Sequence, residues 1–433
     1  MKIDEIEIIN FMCFDNINIH FNPGVNLFVG ANGSGKTGIL EAINVSLGGF
    51  FGSQEQKMQR MIEFDEIKIT KGRRESFASI KTHSTLIENG WTRTIKRDSR
   101  KNDTKASIPA CNYGKGIFDA IEDPKNKTIA PLLAYYSTQR LFKDASLSGK
   151  QKIDPANGRR NGYLQCLKEI AIKTVLNDWL GNAVTRRATM QIKEIDSIDP
   201  VLDNVEKAIR KTLISFLDLP NDFPLKIYQE PHLNNELFVN YNEENDLPLT
   251  YYSDGFRNLL YLIIDMVWRA SQLNPWLTLD ELSKSVPGVV TIDEIDLHLH
   301  PKWQAKAISV VQQLFPKVQF FITTHSPTVV ANFMNGTLYV VENNEVNKYE
   351  SNYFGRQVNN VLRNILGAND RHVDTQEKLN QLFVLIDKNM LSEANIQLKE
   401  LIALLGIEDV DINKAKALIE WQESINGGSN AVH

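Results

Sequence analysis

Apolar and polar residues alternate through the first 22 positions, as in Ile6-Glu7-Ile8 and Ile17-Asn18-Ile19-His20-Phe21. A period of two predicts paired strands that bury one face. An apolar run, Leu27-Phe28-Val29, then enters a glycine-rich turn, and from Thr37 to about Leu47 the spacing becomes helical. Residues 64–97 return to alternation, with a turn expected at Glu88-Asn89-Gly90 between strands over 76–86 and 91–95. This predicts a β-rich lobe. Residues 97–105 are charged and polar throughout and read as a loop, in part without fixed structure.

Further along, 132–136 reads as a buried strand, and 149–162, rich in Gly, Asn, Lys and Arg, as a flexible link. Residues 163–180 and 200–217 carry apolar side chains at helical spacing, which predicts an inserted helical lobe. Short strands over 225–229 and 237–241 follow, then two largely apolar strands, 288–292 and 318–324, and closing helices.

The turn after Val29 reads Gly30-Ala31-Asn32-Gly33-Ser34-Gly35-Lys36-Thr37. A strand, a glycine-rich loop ending in Lys-Thr and a helix form a phosphate-binding loop: glycines let successive N–H groups point inward, and the helix presents its positive end. A nucleoside triphosphate is the first ligand expected. Gly30, Asn32, Gly33, Ser34 and Gly35 would cradle its phosphates, Lys36 would lie along the β/γ oxygens, and Thr37 would place a hydroxyl on Mg²⁺.

Two further strand ends carry chemistry. Residues 288–292 run into Asp293-Glu294, where Asp293 would hold the Mg²⁺ water shell and Glu294 would orient or deprotonate the attacking water. Residues 318–324 end in His325, which would meet the γ-phosphate at the same sheet edge. Between loop and acids, Tyr251-Tyr252-Ser253-Asp254-Gly255-Phe256 precedes an apolar helix, so that Ser253 and Gly255 offer a hydroxyl and N–H groups to an anion.

At 433 residues the chain has room for two or three domains. No uninterrupted apolar run approaches the roughly 20 residues of a membrane span, and the opening Met-Lys-Ile-Asp-Glu is unlike a basic, apolar leader. A cytoplasmic location without membrane contact is expected. Cys13, Cys111 and Cys166 are scattered without metal-like spacing and read as packing residues. Net charge is −5, but residues 68–105 carry eleven Lys/Arg against four Asp/Glu (11 − 4 = +7), whereas 370–433 carry six against eleven (6 − 11 = −5). The basic stretch is a candidate DNA or RNA contact, with solvated surface as the alternative.

With these motifs in this order, the chain resembles the ATP-binding-cassette superfamily, although Tyr252, Asp254 and Phe256 depart from its Leu-Ser-Gly-Gly-Gln signature. The resemblance implies an α/β fold: an ABC-type P-loop ATPase with a mixed central sheet, an antiparallel β lobe, a helical lobe and C-terminal helices. It divides the chain into an N-terminal ATPase half (1–140), an inserted helical lobe with short strands (141–250), a C-terminal ATPase half (251–345) and a C-terminal helical region (346–433). It also implies a homodimer, docked head to tail around two ATP, each held by the phosphate loop of one copy and the signature of the other. Gln139 would then sense Mg²⁺ and the attacking water, with Gln54 as its rival, and Asp296 would belong to the dimer-facing loop.

Several pairs are read as decoys. His298 and His300 resemble a metal pair but follow the acids in a segment without strand pattern. Asp409 and Asp411 resemble a nuclease pair, but Asp411 is expected to cap the helix over 412–425. Arg159-Arg160 and Arg186-Arg187 read as surface charges.

The layout is similar to cytosolic ATPases with a Rad50-like or RecF-like head. The run from Thr291 to Trp303, residues 136–140 and the tail pattern resemble the ATPase subunit of Septu anti-phage defence systems, PtuA, also seen with retrons. That resemblance implies a separate HNH endonuclease partner of the PtuB kind, a larger assembly of dimers, and in retron-linked versions a reverse transcriptase with its DNA. No nuclease domain is expected after Val341-Glu342-Asn343. Two stripes in the tail, Leu379, Leu382, Phe383 and Ile386, then Ile396, Leu401, Ile402 and Leu405, read as core or as a docking groove. The rival functions are a DNA-repair ATPase acting directly on DNA, and an effector that depletes nucleotide or binds RNA.

Overall fold

The computed structural model describes residues 1–54, 58–138, 153, 155–168, 173–193, 199–223, 226–230, 236–240, 246–367 and 371–428. They form two compact units, Met1–Val361 and Leu362–His433.

In the first unit a six-stranded sheet has the order Glu345–Lys348, Gly336–Glu342, Val25–Val29, Val318–Thr324, Gly288–Ile292, Leu132–Tyr136. All neighbours run parallel except the first pair, so the sheet is mixed. The central strands are buried on both faces, which is why they read as apolar runs rather than alternations. A second, antiparallel sheet has the order Phe14–His20, Glu5–Phe11, Phe77–Ser84, Ile87–Lys96, Asn102–Asp103. Here the alternation of the first 22 residues appears as the antiparallel register Ile6↔Ile19 and Ile8↔Ile17. The first unit is thus an α/β fold in which a mixed, mostly parallel sheet lies beside an antiparallel one.

The helix Lys36–Leu47 packs against both sheets and is buried almost throughout. Thr291 Oγ1 donates to Asn44 Oδ1 at 2.9 Å, tying it to the central sheet, and Trp91 Nε1 donates to Ser46 O at 2.9 Å, tying it to the β lobe. The phosphate loop is therefore mounted on a rigid element.

Several expectations need correction. The hairpin turns at Thr85-Leu86, not at Glu88-Asn89-Gly90; Asn89 (φ 65) and Gly90 (φ 62) instead form an irregularity inside Ile87–Lys96, where the register shifts. Left-handed backbone suits a bulge as well as a turn, and the sequence signal is the same for both. Residues 97–105 are ordered by the strand Asn102–Asp103, whose Asn102 clasps the backbone of Ile62 through both amide atoms (3.2 and 2.9 Å). Arg159 is no surface charge: it is 8% exposed and donates to the carbonyls of Leu273, Asn126 and Thr128. Residues 155–162 of the expected flexible link accordingly lie in a 3-10 segment, Pro155–Tyr163, kinked at Gly158. The helical lobe contains Lys173–Ile192 and Pro200–Leu217, and its short strands, Lys226–Glu230 and Glu236–Asn240, gain a third, Asp246–Pro248.

The second unit contains the helices Val373–Asp387, Leu391–Leu405 and Val410–Gly428 around a core that includes Leu379, Leu382, Ile386, Ala394, Leu398 and Leu401. The first tail stripe is thus core. In the second, Leu401 is buried while Ile396 is 63% exposed.

Candidate nucleotide-binding site

The parallel strands Val25–Val29, Val318–Thr324 and Gly288–Ile292 lie side by side and end at one sheet edge, where they deliver the phosphate loop, His325 and the Asp293-Glu294 pair. Ligands of open α/β sheets gather at such carboxyl ends. Two glycines are required for space. A Cβ on Gly30 would lie 2.2 Å from Val341 O, and one on Gly35, which has φ 105, would lie 2.7 Å from Phe14 Cζ. Only Gly at these positions lets the loop lie this close to Val341 and Phe14.

Lys36 Nζ donates to Gly30 O at 2.9 Å and Ala31 O at 2.7 Å, so its ammonium is held over the loop. Burial pulls this lysine below its ordinary pKa, opposed by the nearby Asp293, Glu294 and Asp296. Thr37 Oγ1 donates to Asp293 Oδ2 at 2.9 Å. Thr323 Oγ1 donates to Asp293 Oδ1 at 2.5 Å and accepts from Glu294 N at 2.8 Å, so one hydroxyl orients both acids. Glu294 itself has φ 48, an unusual value for a non-glycine residue and one that turns the chain sharply after Asp293. Its Oε1 lies 2.9 Å from His325 Nε2.

The remaining polar atoms fit an anion with a bound cation. Ser34 Oγ and His325 Nδ1 are buried without a hydrogen-bond partner among the described residues. A Thr hydroxyl, an Asp carboxylate and surrounding loop N–H groups form the oxygen-rich donor set suited to Mg²⁺ and phosphate. Asn32 and Gly33 are exposed at the loop tip.

The signature residues lie at the start of the helix Asp254–Leu273. Ser253 is the N-cap of the helix Asp254–Leu273, is exposed, and makes no capping hydrogen bond with its side chain. Gly255 packs against the segment after the acids: a Cβ there would lie 2.1 Å from His298 O. Phe256, one of the departures from the signature, stacks between Tyr252 (5.0 Å) and Trp303 (5.1 Å) and anchors the helix start. Asp296 accepts a hydrogen bond from Thr324 Oγ1. Gln139 lies outside the described residues. Its rival Gln54 donates to Ser53 Oγ at 3.1 Å.

A protein-family model, described as "AAA domain, putative AbiEii toxin, Type IV TA system", matches residues 25–331, from the phosphate-loop strand to just past His325. The chain belongs to this AAA-domain family. Among its relatives, this AAA-domain ATPase is 27% identical over 390 residues to the Septu protein PtuA of Bacillus mycoides (strain KBAB4), covering 88% of this chain and 46% of that protein. It spans about half the length of that relative. It is 28% identical over 335 residues to the PtuA of Bacillus thuringiensis, covering 76% of this chain and 72% of that protein. It is 24% identical over 434 residues to the retron Vc95 probable ATPase of Vibrio cholerae serotype O1 biovar El Tor, covering 84% and 78%. Among solved structures, an SMC head bound to the C-winged helix domain of ScpA aligns with a TM-score of 0.44 and 14% identity, covering 81% of this chain and 98% of that one.

Elsewhere in the AAA-domain ATPase the decoys resolve into structure. His300 caps the helix Pro301–Leu314 by accepting from Lys302 N. Asp409, not Asp411, caps the last helix: its carboxylate accepts from Asp411 N and Ile412 N, and Arg371 pairs with both acids. The cap falls two residues earlier because the helix starts at Val410. Arg160 pairs with Glu122, Arg186 with Asp199 and Arg187 with Glu206. In the basic stretch, Lys68, Lys81 and Arg97 pair with Asp15, Glu7 and Asp98, and Arg93 is buried. Asp15 and Glu7 lie outside the stretch and offset two of its seven excess charges (7 − 2 = +5), so it remains basic. No helix among the described residues is long and apolar enough to cross a membrane.

Sequence reasoning missed Thr323, Asp265 and Arg269. The last two carried a signal, an Asp and an Arg four residues apart within the otherwise apolar stretch 259–270 of their helix.

Proposed function

We propose that this chain is an ATP-binding and ATP-hydrolysing regulatory subunit of a bacterial anti-phage defence complex. Two copies close head to tail around two ATP, and that state controls a separate nuclease of the HNH class. The observation that carries the reading is the division of the site: the loop, Asp293, Glu294 and His325 converge on one edge, while Ser253 sits exposed at the start of a 20-residue helix with its hydroxyl uncommitted to capping. A helix N-terminus left open in this way suits a γ-phosphate held by a second copy.

In this reading Thr37 and Asp293, with Gln139, would hold Mg²⁺, and the ion would supply charge neutralisation to the triphosphate. Lys36 leaves its two carbonyl partners for the phosphate oxygens. Glu294 orients and deprotonates the attacking water, and His325 keeps the carboxylate aimed while offering a donor to the γ-phosphate. Hydrolysis requires the dimer, because Ser253 and Gly255 of the second copy complete the charge-stabilising shell. Defence is supported by the similarity to PtuA proteins and a retron ATPase over most of this chain. The HNH partner, and a reverse transcriptase in a retron setting, extend that similarity.

Co-expression with the neighbouring gene products tests the assignment: an HNH protein that co-purifies and cuts DNA only in step with the nucleotide state supports it. Salt-sensitive, ATP-dependent DNA binding by the isolated chain through residues 68–105 would instead favour a repair ATPase.

A further inference from the structure

The strand Leu132–Tyr136 ends in two tyrosines whose side chains leave the sheet on opposite faces. Tyr135 donates to Glu41 on the phosphate-loop helix at 2.7 Å. Tyr136 donates to Asp265 Oδ2 at 2.7 Å, on the helix that begins at Ser253. Arg269, one turn further along that helix, donates from Nε to the same carboxylate oxygen at 2.7 Å and from Nη1 to the carbonyls of Gly162 and Leu164. Asp265 and Arg269 are 2% and 1% exposed.

A buried ion pair of this kind is weak evidence for stability, since an apolar replacement of the same volume is often as stable. Asp265 Oδ1 also has no hydrogen-bond partner among the described residues, so the cluster is not tuned for satisfaction. What distinguishes it is where its far end leads. The carbonyl of Tyr136 accepts the Asp293 N–H at 2.8 Å, and Asp293 in turn receives the hydroxyl of Thr37. Hydrogen bonds at the two ends of Tyr136, hydroxyl and carbonyl, therefore join Asp265 of the helix that begins after Ser253 to Asp293.

We propose that Tyr136, Asp265 and Arg269 are positioning residues that transmit engagement of Ser253, by a triphosphate bound to a second copy of this chain, to the backbone of Asp293. The inference rests on the head-to-tail reading above. Binding at the signature end fixes the helix; the helix holds Tyr136 through Asp265; and Tyr136 holds Asp293 at the register that Mg²⁺ requires. Each site is thereby made ready when the opposite one is filled.

The test compares hydrogen exchange in full-length Glu294→Gln protein with that of the same protein carrying Tyr136→Phe or Tyr163→Phe. The second is a control, because Tyr163 is equally buried and its hydroxyl donates to Pro131 O at 2.9 Å without reaching the Ser253 helix. Mg²⁺-ATP is expected to slow exchange in segments 253–260 and 293–299 together in the parent and in the Tyr163→Phe protein. With Tyr136→Phe, protection of 253–260 persists, whereas that of 293–299 falls about tenfold, and half-saturating Mg²⁺ rises by a similar factor, the size expected for one lost buried hydrogen bond. ATP binding in EDTA stays unchanged. Undiminished protection with Tyr136→Phe, or an equal loss with Tyr163→Phe, overturns the proposal. If Mg²⁺-ATP slows exchange at neither segment in the parent, the head-to-tail reading has failed and the proposal falls with it.

Discussion

Glu294 and His325 leave the ends of neighbouring parallel strands, and their side chains meet at 2.9 Å between Oε1 and Nε2. The contact places an imidazole against the carboxylate assigned to the attacking water. Glu294→Gln keeps the shape and loses the base, so ATP binding is expected to persist while turnover falls by about 10²–10⁴-fold. Nucleotide binding and phosphate release measured on the same preparation check this; normal turnover removes the general-base role.

In the proposed reading Lys36 gives its charge to the phosphates, exchanging for them its present partners, two loop carbonyls. Losing charge-assisted bonds of about 1.5–3 kcal/mol, Lys36→Ala is expected to bind ATP about 10–100-fold more weakly. Its melting temperature without nucleotide should stay close to that of the parent. Calorimetric titration and a thermal melt separate the two effects.

Gly255 is a test of packing at the signature. A Cβ there would lie 2.1 Å from the backbone oxygen of His298, and a backbone atom cannot swing aside as a side-chain tip can. Gly255→Ala is expected to destabilise the protein by about 1–3 kcal/mol through forced backbone shifts and to reduce turnover. Urea denaturation reads the first effect; an unchanged midpoint would mean the two segments are not in contact.

Cys166 is 2% exposed, and burial pushes its thiol up from 9.0 to about 12. The folded state therefore holds a proton that the unfolded chain releases above pH 9, so this contribution to stability is complete below pH 9 and is lost as pH rises toward 12. At pH 8 iodoacetamide should label the partly exposed Cys13 and Cys111 and spare Cys166 until the protein is unfolded. Mass spectrometry of the labelled peptides decides it.

Local chemistry made the catalytic strands legible in the sequence. The loop from Gly30 to Thr37, the acids 293 and 294 and His325 each follow a short apolar run, and burial on both faces gives such strands no other pattern. What stayed illegible depends on contacts far apart in sequence. Asn89 and Gly90 carry the same backbone preference in a bulge as in a turn, so the hairpin was misplaced by a few residues. Arg159 looked like surface charge because the three carbonyls that receive it, on Leu273, Asn126 and Thr128, become neighbours only after folding. The tie from Tyr136 to Asp265 spans 129 positions and has no local signature.

The central claim is that one triphosphate is gripped by Lys36 of one copy and Ser253 of the other, and subunit mixing tests it most directly. Lys36→Ala and Ser253→Ala proteins, each inactive in hydrolysis alone, are combined in equal amounts and allowed to exchange. Shared sites leave one intact Lys36–Ser253 pair in every mixed dimer, so turnover should return to at most about a quarter of wild type, and to less where the intact site waits on its opposite. Activity no greater than the sum of the two separate proteins would contradict the account, because it would mean that each chain must supply both groups to its own nucleotide.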